Sequence, residues 1–209
     1  VALPVRRITR QPRHHIATTA FEWAQRRPAR RVTAIHKANV MRMSDGLFLE
    51  TVRGVAAEHP DITYDEMLVD AAAAMMVRDP GRFDVVVTTN MFGDILSDLA
   101  SELSGSLGLA GSLNAGTRHA AAQAQHGSAP DIAGLDRANP TSLILSAAML
   151  LSHLGEGRAA AAIEAAVRAA LASPDTRTAD VGGRLGCGAF AASLCDLVRN
   201  GPRPARHRQ

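Results

Sequence analysis

The sequence has few cysteines, few aromatic residues and no long apolar run. Two cysteines in 209 residues are too few for a disulfide framework, and Cys187 and Cys195 lack the spacing of a metal site, so we expect a reducing compartment, the cytoplasm. Since the apolar runs are far shorter than a membrane span, we expect no membrane contact. Aromatic residues make up 3% of the chain and do not alternate with its arginines, which argues against a nucleic-acid partner.

Lysine is nearly missing as well. All but one of the 23 Lys and Arg residues are arginine, and the exception is Lys37. The arginines cluster at 26–31 and in the tail at 203–208, where a solvated surface and a frayed terminus account for them. A lysine amine can be tuned to exchange a proton, whereas an arginine cannot deprotonate in practice. Lys37 is therefore a candidate catalytic residue, although chance survival of one lysine in an arginine-biased sequence gives the same pattern.

The sequence does contain an alternation of apolar strands and amphipathic helices. Its composition, 46% apolar and 21% charged, is ordinary for a globular protein. Helix periodicity and capping residues, such as Ser44 or Asp45 before the second helix, mark the elements. The predicted order is a helix at 12–27, a strand at 32–39, a helix at 44–59, a strand-like segment and a helix within 62–80, and a strand at 83–89. This alternation predicts an α/β layer architecture.

The character of the sequence changes after Gly105. Residues 105–116 are predicted to be a glycine-rich connection between domains, and 118–125 show no period. A loop rich in Gly, Pro, Asp and Asn follows at 126–140. Three helices rich in alanine and leucine are predicted at 141–154, 156–172 and 188–198. We therefore divide the chain into domains at 1–104 and 105–209.

A pair of carboxylates follows the most apolar strand. The stretch FDVVVTTNMFGDILSDLASEL, residues 83–103, predicts a strand, a turn with Asn90 as N-cap, and a helix. Asp94 and Asp98 stand four residues apart on that helix, so both project from one face near the carboxyl end of the strand. One interpretation is a solvated helix face with acids near its N-terminus. The other is a site for Mg²⁺ or Mn²⁺, held by oxygen ligands at the mouth of an α/β sheet.

Longer motifs resemble a known family. They are HKANVMRMSDGLFLETV (36–52), Val69 with Asp70, the stretch at 83–103, HGSAPDIAG (126–134), ANP (138–140) and TADVGG (178–183). Together they resemble the β-decarboxylating dehydrogenases, the family of isocitrate, homoisocitrate and isopropylmalate dehydrogenases. The resemblance covers only the C-terminal portion of a full-length member, so the implied α/β fold is incomplete at its N-terminus. It implies that 1–104 form a dimer-building domain and that 105–209 form the return half of a cofactor-binding domain.

The resemblance also implies an activity and a set of site residues. Family members oxidise and decarboxylate a malate-like 2-hydroxy acid with NAD and Mg²⁺ or Mn²⁺. Asp94 and Asp98 match two metal aspartates of one subunit, and Asp70 matches a third metal ligand and catalytic residue from the neighbouring subunit. Lys37 matches the lysine that relays the proton of the substrate hydroxyl, also across the interface, and Asn39 lies close to substrate. The implied protein is a homodimer with shared active sites.

A cofactor loop without a GxGxxG fingerprint is implied as well. In the family it wraps the adenosine half of the cofactor. A carboxylate at Asp131 suits the two hydroxyls of the NAD ribose, and it would repel the 2′-phosphate of NADP. Alternatively, Asp131 only caps the turn after Pro130. The matching loop residues here are His126, Gly127, Ser128, Ala129, Pro130, Asp131 and Asn139.

The sequence departs from the family pattern at several positions. Ala122 and Gln123 stand where an aromatic residue and a glutamate are usual, Leu135 replaces a lysine or glutamine, and Gly111 replaces a proline. The family's substrate-clamping arginines and catalytic tyrosine match none of these 209 residues. The alternatives to an NAD-dependent and metal-dependent dehydrogenase are therefore a non-catalytic partner subunit and an inactive fragment of such an enzyme.

Overall fold

The computed structural model describes residues 8–201. The arginine-rich tail at 203–208 lies outside the described residues. The chain forms two compact units, Val1–Ala100 and Ser101–Gln209. Within residues 8–201, no helix is both long and apolar enough to cross a membrane.

The first unit is built on a parallel sheet. Its elements, in chain order, are α1 (Arg10–Gln25), β1 (Arg31–His36), α2 (Arg42–Ala57), β2 (Thr63–Leu68), α3 (Val69–Arg78), β3 (Val85–Thr88) and α4 (Asn90–Leu103). The three strands lie in the order β2-β1-β3, and both neighbours of β1 run parallel to it. Strands alternate with helices along the chain, which confirms the predicted α/β class.

Helices cover both faces of this sheet, which explains why the four middle residues of its central strand, 32–35, are all buried. Successive side chains of a strand point to opposite faces. On one face Val32 packs with Phe21 of α1 and Phe48 of α2. On the other, Ile35 packs with Leu96 of α4 and with residues of α3. Each face therefore buries its own cluster of apolar side chains.

Parallel pairing brings the carboxyl ends of all three strands to one edge of the sheet. Ile35 is paired with Met67 of β2 and with Thr88 of β3. Lys37 follows the last residue of β1, α3 follows β2 directly, and α4 begins two residues after Thr88. The sheet thus carries Lys37 and the first turns of α3 and α4 to the same edge.

The start of α2 differs from the prediction. A cap at Ser44 or Asp45 was expected, but α2 begins at Arg42 and has no side-chain cap. Asp45 is fully buried, and its carboxylate accepts hydrogen bonds from the Lys37 N–H (2.7 Å) and the Ser44 hydroxyl (3.2 Å). The cap prediction was wrong because this carboxylate binds the backbone that follows β1 instead of the first turn of its own helix.

The second unit combines a β-hairpin with three helices. Its elements are β4 (Gly111–Ala115), β5 (Ala120–Ala124), α5 (Thr141–His153), α6 (Gly157–Leu171) and α7 (Cys187–Asn200). The three predicted helices are present. Their core forms around Phe190 and Leu194 of α7 and Val167 of α6. Short 3₁₀ turns at Pro130–Ile132 and Ala179–Val181 interrupt the connections.

The hairpin was not predicted. Residues 105–116 were expected to be a connection and 118–125 an aperiodic segment, but β4 and β5 pair antiparallel. Serines of α5 hold this hairpin: Ser146 Oγ accepts from the Ser112 N–H (2.9 Å) and donates to the Gln123 carbonyl (2.7 Å). Ser142 Oγ likewise donates to the Ala110 carbonyl. The hairpin depends on these contacts with a distant helix, which local sequence does not reveal.

Candidate functional site

A lysine–aspartate pair lies at the carboxyl edge of the parallel sheet. Lys37 Nζ donates to Asp70 Oδ1 at 2.7 Å. The Lys37 side chain is 25% exposed and the Asp70 side chain 66% exposed. The hydrogen bond from Lys37 lowers the pKa of Asp70 below its ordinary value, because it favours the ionised carboxylate. Two of the predicted site residues are therefore in direct contact, in a position open to a ligand.

The backbone around Lys37 is fixed from several sides. Its N–H is held by the buried Asp45 carboxylate, and its carbonyl accepts from the N–H groups of Val40 (2.9 Å) and Met41 (2.8 Å). Asn39 lies in this turn and is exposed. A tight turn anchored on a buried carboxylate sets the direction in which the Lys37 side chain leaves the sheet. From the sequence, Asp45 was only a candidate helix cap. The one local signal for its role at Lys37 was a carboxylate in an otherwise apolar helix face.

Asp94 and Asp98 occupy the exposed face of α4. Both are exposed, whereas Phe92 and Leu96 of the same helix are buried. The predicted strand–helix arrangement is therefore present, although Asn90 forms the first residue of the helix. Ile95, between the two aspartates in sequence, is 60% exposed. Met91 of the same helix is 51% exposed as well, so the exposed side of α4 carries both apolar and acidic side chains.

The donor set fits a hard divalent cation, but one chain does not complete it. Asp70, Asp94 and Asp98 present carboxylate oxygens, the ligands that Mg²⁺ and Mn²⁺ prefer. Within residues 8–201, no three His, Cys, Asp or Glu side chains are grouped closely enough to hold a metal ion. Asp70, Asp94 and Asp98 of one chain therefore do not form such a group, and Asp70 is bonded to Lys37 instead.

The second unit holds a pocket of about 500 Å³ formed by the predicted cofactor loop. His126, Gly127, Ser128, Ala129 and Asn139 line it. Pro130 and Asp131 belong to the same loop, in an exposed 3₁₀ turn, and are not among the lining residues. The loop is therefore where a ligand would enter, while the Asp131 carboxylate lies outside the pocket wall.

Sequence reasoning assigned no role to Asp180, which also lines this pocket. Its carboxylate accepts from Ser106 Oγ (2.7 Å), Thr178 Oγ1 (2.6 Å) and Asn139 Nδ2 (2.9 Å). Burial raises the pKa of Asp180, but these three hydrogen bonds outweigh it and leave the pKa below its ordinary value. Gly108 is required beside them, since a Cβ there would lie 2.9 Å from Asn139 Cβ. The TADVGG motif was the available signal.

Known proteins match this chain over most of its length. Residues 1–196 match the family described as isocitrate/isopropylmalate dehydrogenase. The chain is 46% identical over 201 residues to the mitochondrial NAD isocitrate dehydrogenase subunit alpha of Homo sapiens, covering 96% of this chain and 55% of that protein. It is 48% identical over 194 residues to the 3-isopropylmalate dehydrogenase of Archaeoglobus fulgidus, covering 93% of this chain and 59% of that protein.

Solved structures give the same result. A crystal structure of isocitrate dehydrogenase from Methylococcus capsulatus matches with a TM-score of 0.89 and 45% identity, covering 94% of this chain and 58% of that chain. The chain thus spans 55–59% of the lengths of these relatives. The fold implied by the motifs is confirmed, and the chain belongs to the isocitrate/isopropylmalate dehydrogenase family.

Proposed function

We propose that this chain forms the metal and lysine half of an enzyme that oxidises and decarboxylates a malate-like 2-hydroxy acid. The class comprises isocitrate, homoisocitrate and 3-isopropylmalate. The observation that carries the proposal is the contact between Lys37 Nζ and Asp70, at the sheet edge from which α4 brings Asp94 and Asp98. Catalytic groups of open α/β folds gather at this edge.

In this proposal Mg²⁺ or Mn²⁺ is held by Asp94 and Asp98 of one chain together with Asp70 of a second copy. A bound cation of this kind stabilises negative charge that develops on substrate oxygens. Such sharing accounts for the absence of a group of three metal-binding side chains among the described residues of one chain. The exposed Ile95 and Met91 of α4 supply apolar surface for the homodimer contact.

Lys37 would take up and relay the proton of the substrate hydroxyl, and a bound nicotinamide would supply the hydride acceptor. Its amine is tethered by Asp70 at 2.7 Å, and its backbone is fixed by Asp45. An amine held in one place is a better proton carrier than a mobile one, because the donor and acceptor must approach within hydrogen-bond distance. Asn39, in the same turn, is placed to contact the substrate side of the site.

For the cofactor we propose NAD, bound at the loop that lines the pocket of the second unit. The human relative is named as an NAD enzyme, and Asp131 offers a carboxylate to the ribose hydroxyls. Arg137 instead favours NADP, because it lines the pocket and its guanidinium suits the 2′-phosphate of NADP. Titration of a full-length enzyme carrying this loop with NAD and with NADP shows which cofactor it prefers. We expect tighter binding of NAD and, in Asp131→Lys, a shift toward NADP.

The matched control for that titration is Asp175→Lys, which makes the same charge change in an exposed turn away from the pocket. The preference of this variant for NAD over NADP should equal that of the parent enzyme. Equal or tighter binding of NADP by the parent, or an unchanged preference in Asp131→Lys, would show that the loop does not select the cofactor through Asp131.

The activity itself is tested by assaying the full-length enzyme with each of the three acids, NAD and Mn²⁺. Turnover of at least one acid is expected. If none is oxidised with either cofactor, the result supports the alternatives, a non-catalytic partner subunit or an inactive fragment of such an enzyme. The cytoplasmic location stays a prediction, and the human relative is named as mitochondrial.

A further inference from the structure

Asp136 lies in the cofactor loop but is bonded to a distant helix. Its Oδ1 accepts a hydrogen bond from the Gly188 N–H at 2.8 Å, and its carbonyl oxygen accepts one from the Cys187 N–H at 2.9 Å. Both N–H groups belong to the first turn of α7, where a helix has no partners of its own for them. Gly186 is the N-cap of α7 and no side chain caps the helix from that position. Asp136 therefore caps α7 from across the unit.

The glycine at 186 is explained by this contact. Its φ of −74° is one that any residue adopts, so backbone conformation does not call for glycine. A Cβ at 186, however, would lie 2.1 Å from Asp136 Oδ2 and 2.8 Å from the Asp136 carbonyl oxygen, closer than atoms can approach. The two residues thus fit together as a close-packed joint, since any side chain at 186 would push the loop away from the helix.

Asp136 also adopts a backbone conformation that restricts the residue type. Its φ of +53° is left-handed, a region that Asn, Asp and Gly reach at lower cost than other residues. Position 136 consequently needs a residue that tolerates this conformation and also carries a hydrogen-bond acceptor. Only Asp and Asn meet both conditions.

The helix that Asp136 binds is itself firmly held. Phe190 and Leu194 of α7 are 0% and 4% exposed and form the core of the second unit. By contrast, the backbone hydrogen bonds of the loop ahead of Asp136 are local turn contacts, such as Ile132 N–H to Ala129 O and Leu135 N–H to Ile132 O. The joint at Asp136 therefore connects a loop of local turns to a helix that two buried side chains anchor in the core.

We propose that Asp136 is a positioning residue that fixes the cofactor loop on the N-terminus of α7, so that the loop is already in its binding shape before a dinucleotide arrives. This inference rests on the proposed function of the loop. Pre-organisation raises affinity because the loop does not have to be ordered on binding. The effect of Asp136 falls on cofactor affinity and leaves the chemical step unchanged.

Three substitutions in the full-length enzyme separate the hydrogen bond from the backbone. Asp136→Asn keeps the acceptor and tolerates the left-handed φ, Asp136→Gly tolerates the φ without an acceptor, and Asp136→Ala loses both. We expect Asp136→Gly to raise KM and Kd for NAD about tenfold with little change in kcat, as loss of a hydrogen bond to a charged acceptor predicts. Asp136→Asn should stay near the parent, and Asp136→Ala should be at least as impaired as Asp136→Gly.

A second readout needs no cofactor. Amide hydrogen exchange at Cys187, Gly188 and the 126–139 loop should accelerate in Asp136→Gly and stay slow in Asp136→Asn. Gly186→Ala should accelerate it too, because the new Cβ would clash with both Asp136 Oδ2 and the Asp136 carbonyl oxygen. Asp175→Gly, an exposed aspartate of the same unit that does not line the pocket, is the control and should leave the loop unchanged.

Different outcomes overturn different statements. If the parent enzyme binds no dinucleotide, the proposed function fails, while the exchange data still report whether Asp136 holds the loop. If the parent binds NAD and Asp136→Gly binds it equally well, or if Asp136→Asn is as weak as Asp136→Gly, the positioning role of Asp136 is overturned.

Discussion

Lys37 is the residue on which the proposed chemistry depends most. Its amine touches Asp70, its N–H is held by Asp45, and its side chain is only a quarter exposed. Arginine supplies nearly every other positive charge in the chain, so charge alone does not explain a lysine here. What distinguishes a lysine is an amine that can give up its proton, which a guanidinium does not do.

Lys37→Arg in the full-length enzyme tests this distinction. The charge is kept and the proton exchange is lost, so we expect kcat to fall by about 10²–10⁴-fold, the usual contribution of a positioned acid or base. Steady-state rates against substrate concentration give the measurement. Arg30→Lys is the matched control. Arg30 is exposed and paired with Asp61, so this substitution should leave kcat unchanged. An active Lys37→Arg enzyme would mean that position 37 supplies only charge.

Asp94 and Asp98 are the residues for which two interpretations remain. If they bind a cation, Asp94→Asn or Asp98→Asn removes an anionic oxygen from a hard ion and should weaken Mn²⁺ binding about tenfold or more. Calorimetric titration of the full-length enzyme with Mn²⁺ measures the loss. Glu102→Gln, an exposed acid on the same helix, should bind Mn²⁺ like the parent. Unchanged binding in both aspartate variants would mean that this is a solvated helix face.

At the scale of elements, β1 is the strand that holds the site in place. It is the central strand, and Val32, Thr33, Ala34 and Ile35 are all fully buried. Thr33 is the polar residue among these four. Its hydroxyl oxygen is buried and has no hydrogen-bond partner among the described residues. A buried hydroxyl without a partner loses its bonds to water and gains nothing in return.

Thr33→Val should therefore stabilise the protein. The exchange keeps the branched shape and removes the unpaired hydroxyl, so we expect the free energy of unfolding to rise by about 1 kcal/mol. Denaturant unfolding of the 209-residue chain provides the measurement. Thr63→Val, at an exposed position of β2, should change it by less than about 0.5 kcal/mol. A less stable Thr33→Val protein would show that this hydroxyl is hydrogen-bonded in solution.

Elements with a strong local pattern could be predicted from sequence. The helices of both units and the apolar run before Asn90 follow from periodicity and capping, and parallel pairing then brings Lys37 and Asp70 to one edge. The hairpin β4–β5 could not be predicted, because β5 is AAAQA, an alanine-rich stretch without the β-branched residues that mark strands. Its pairing depends on serines of α5 that are distant in sequence.

The same limit applies to parts of the site. Asp45 and Asp136 both look like ordinary loop or cap acids in the sequence, yet each binds backbone N–H groups far from its own turn. The separation in the case of Asp136 is 52 residues. No local rule connects a loop aspartate with the first turn of a distant helix, so only the folded structure shows that connection.

For the whole molecule, the central question is whether one active site needs two chains. Lys37 and Asp70 are in contact within one chain, whereas Asp94 and Asp98 are not grouped with Asp70 in its described residues. Large apolar side chains are exposed on α3 and α4 of the same unit, where Val77 and Ile95 are 61% and 60% exposed. In the proposed symmetric dimer this surface would be covered, and Asp70 of each copy would lie beside α4 of the other.

Mixing two inactive variants tests this arrangement. If each site takes Asp70 from one chain and Asp94 from the other, a homodimer of either variant, Asp70→Asn or Asp94→Asn, has a defect in both of its sites. A mixed dimer has one site with both defects and one intact site. Random association makes half of the dimers mixed, so co-expression should restore about a quarter of the parent activity. Co-expression of Asp94→Asn with Asp98→Asn is the control: both changes lie on α4, every site keeps one defect, and no activity should return. If the first mixture stays inactive, Asp70 and Asp94 act within one chain. Equal recovery in the control would mean that the returned activity does not come from pairing Asp70 of one chain with Asp94 of another, and the shared site would lose its support.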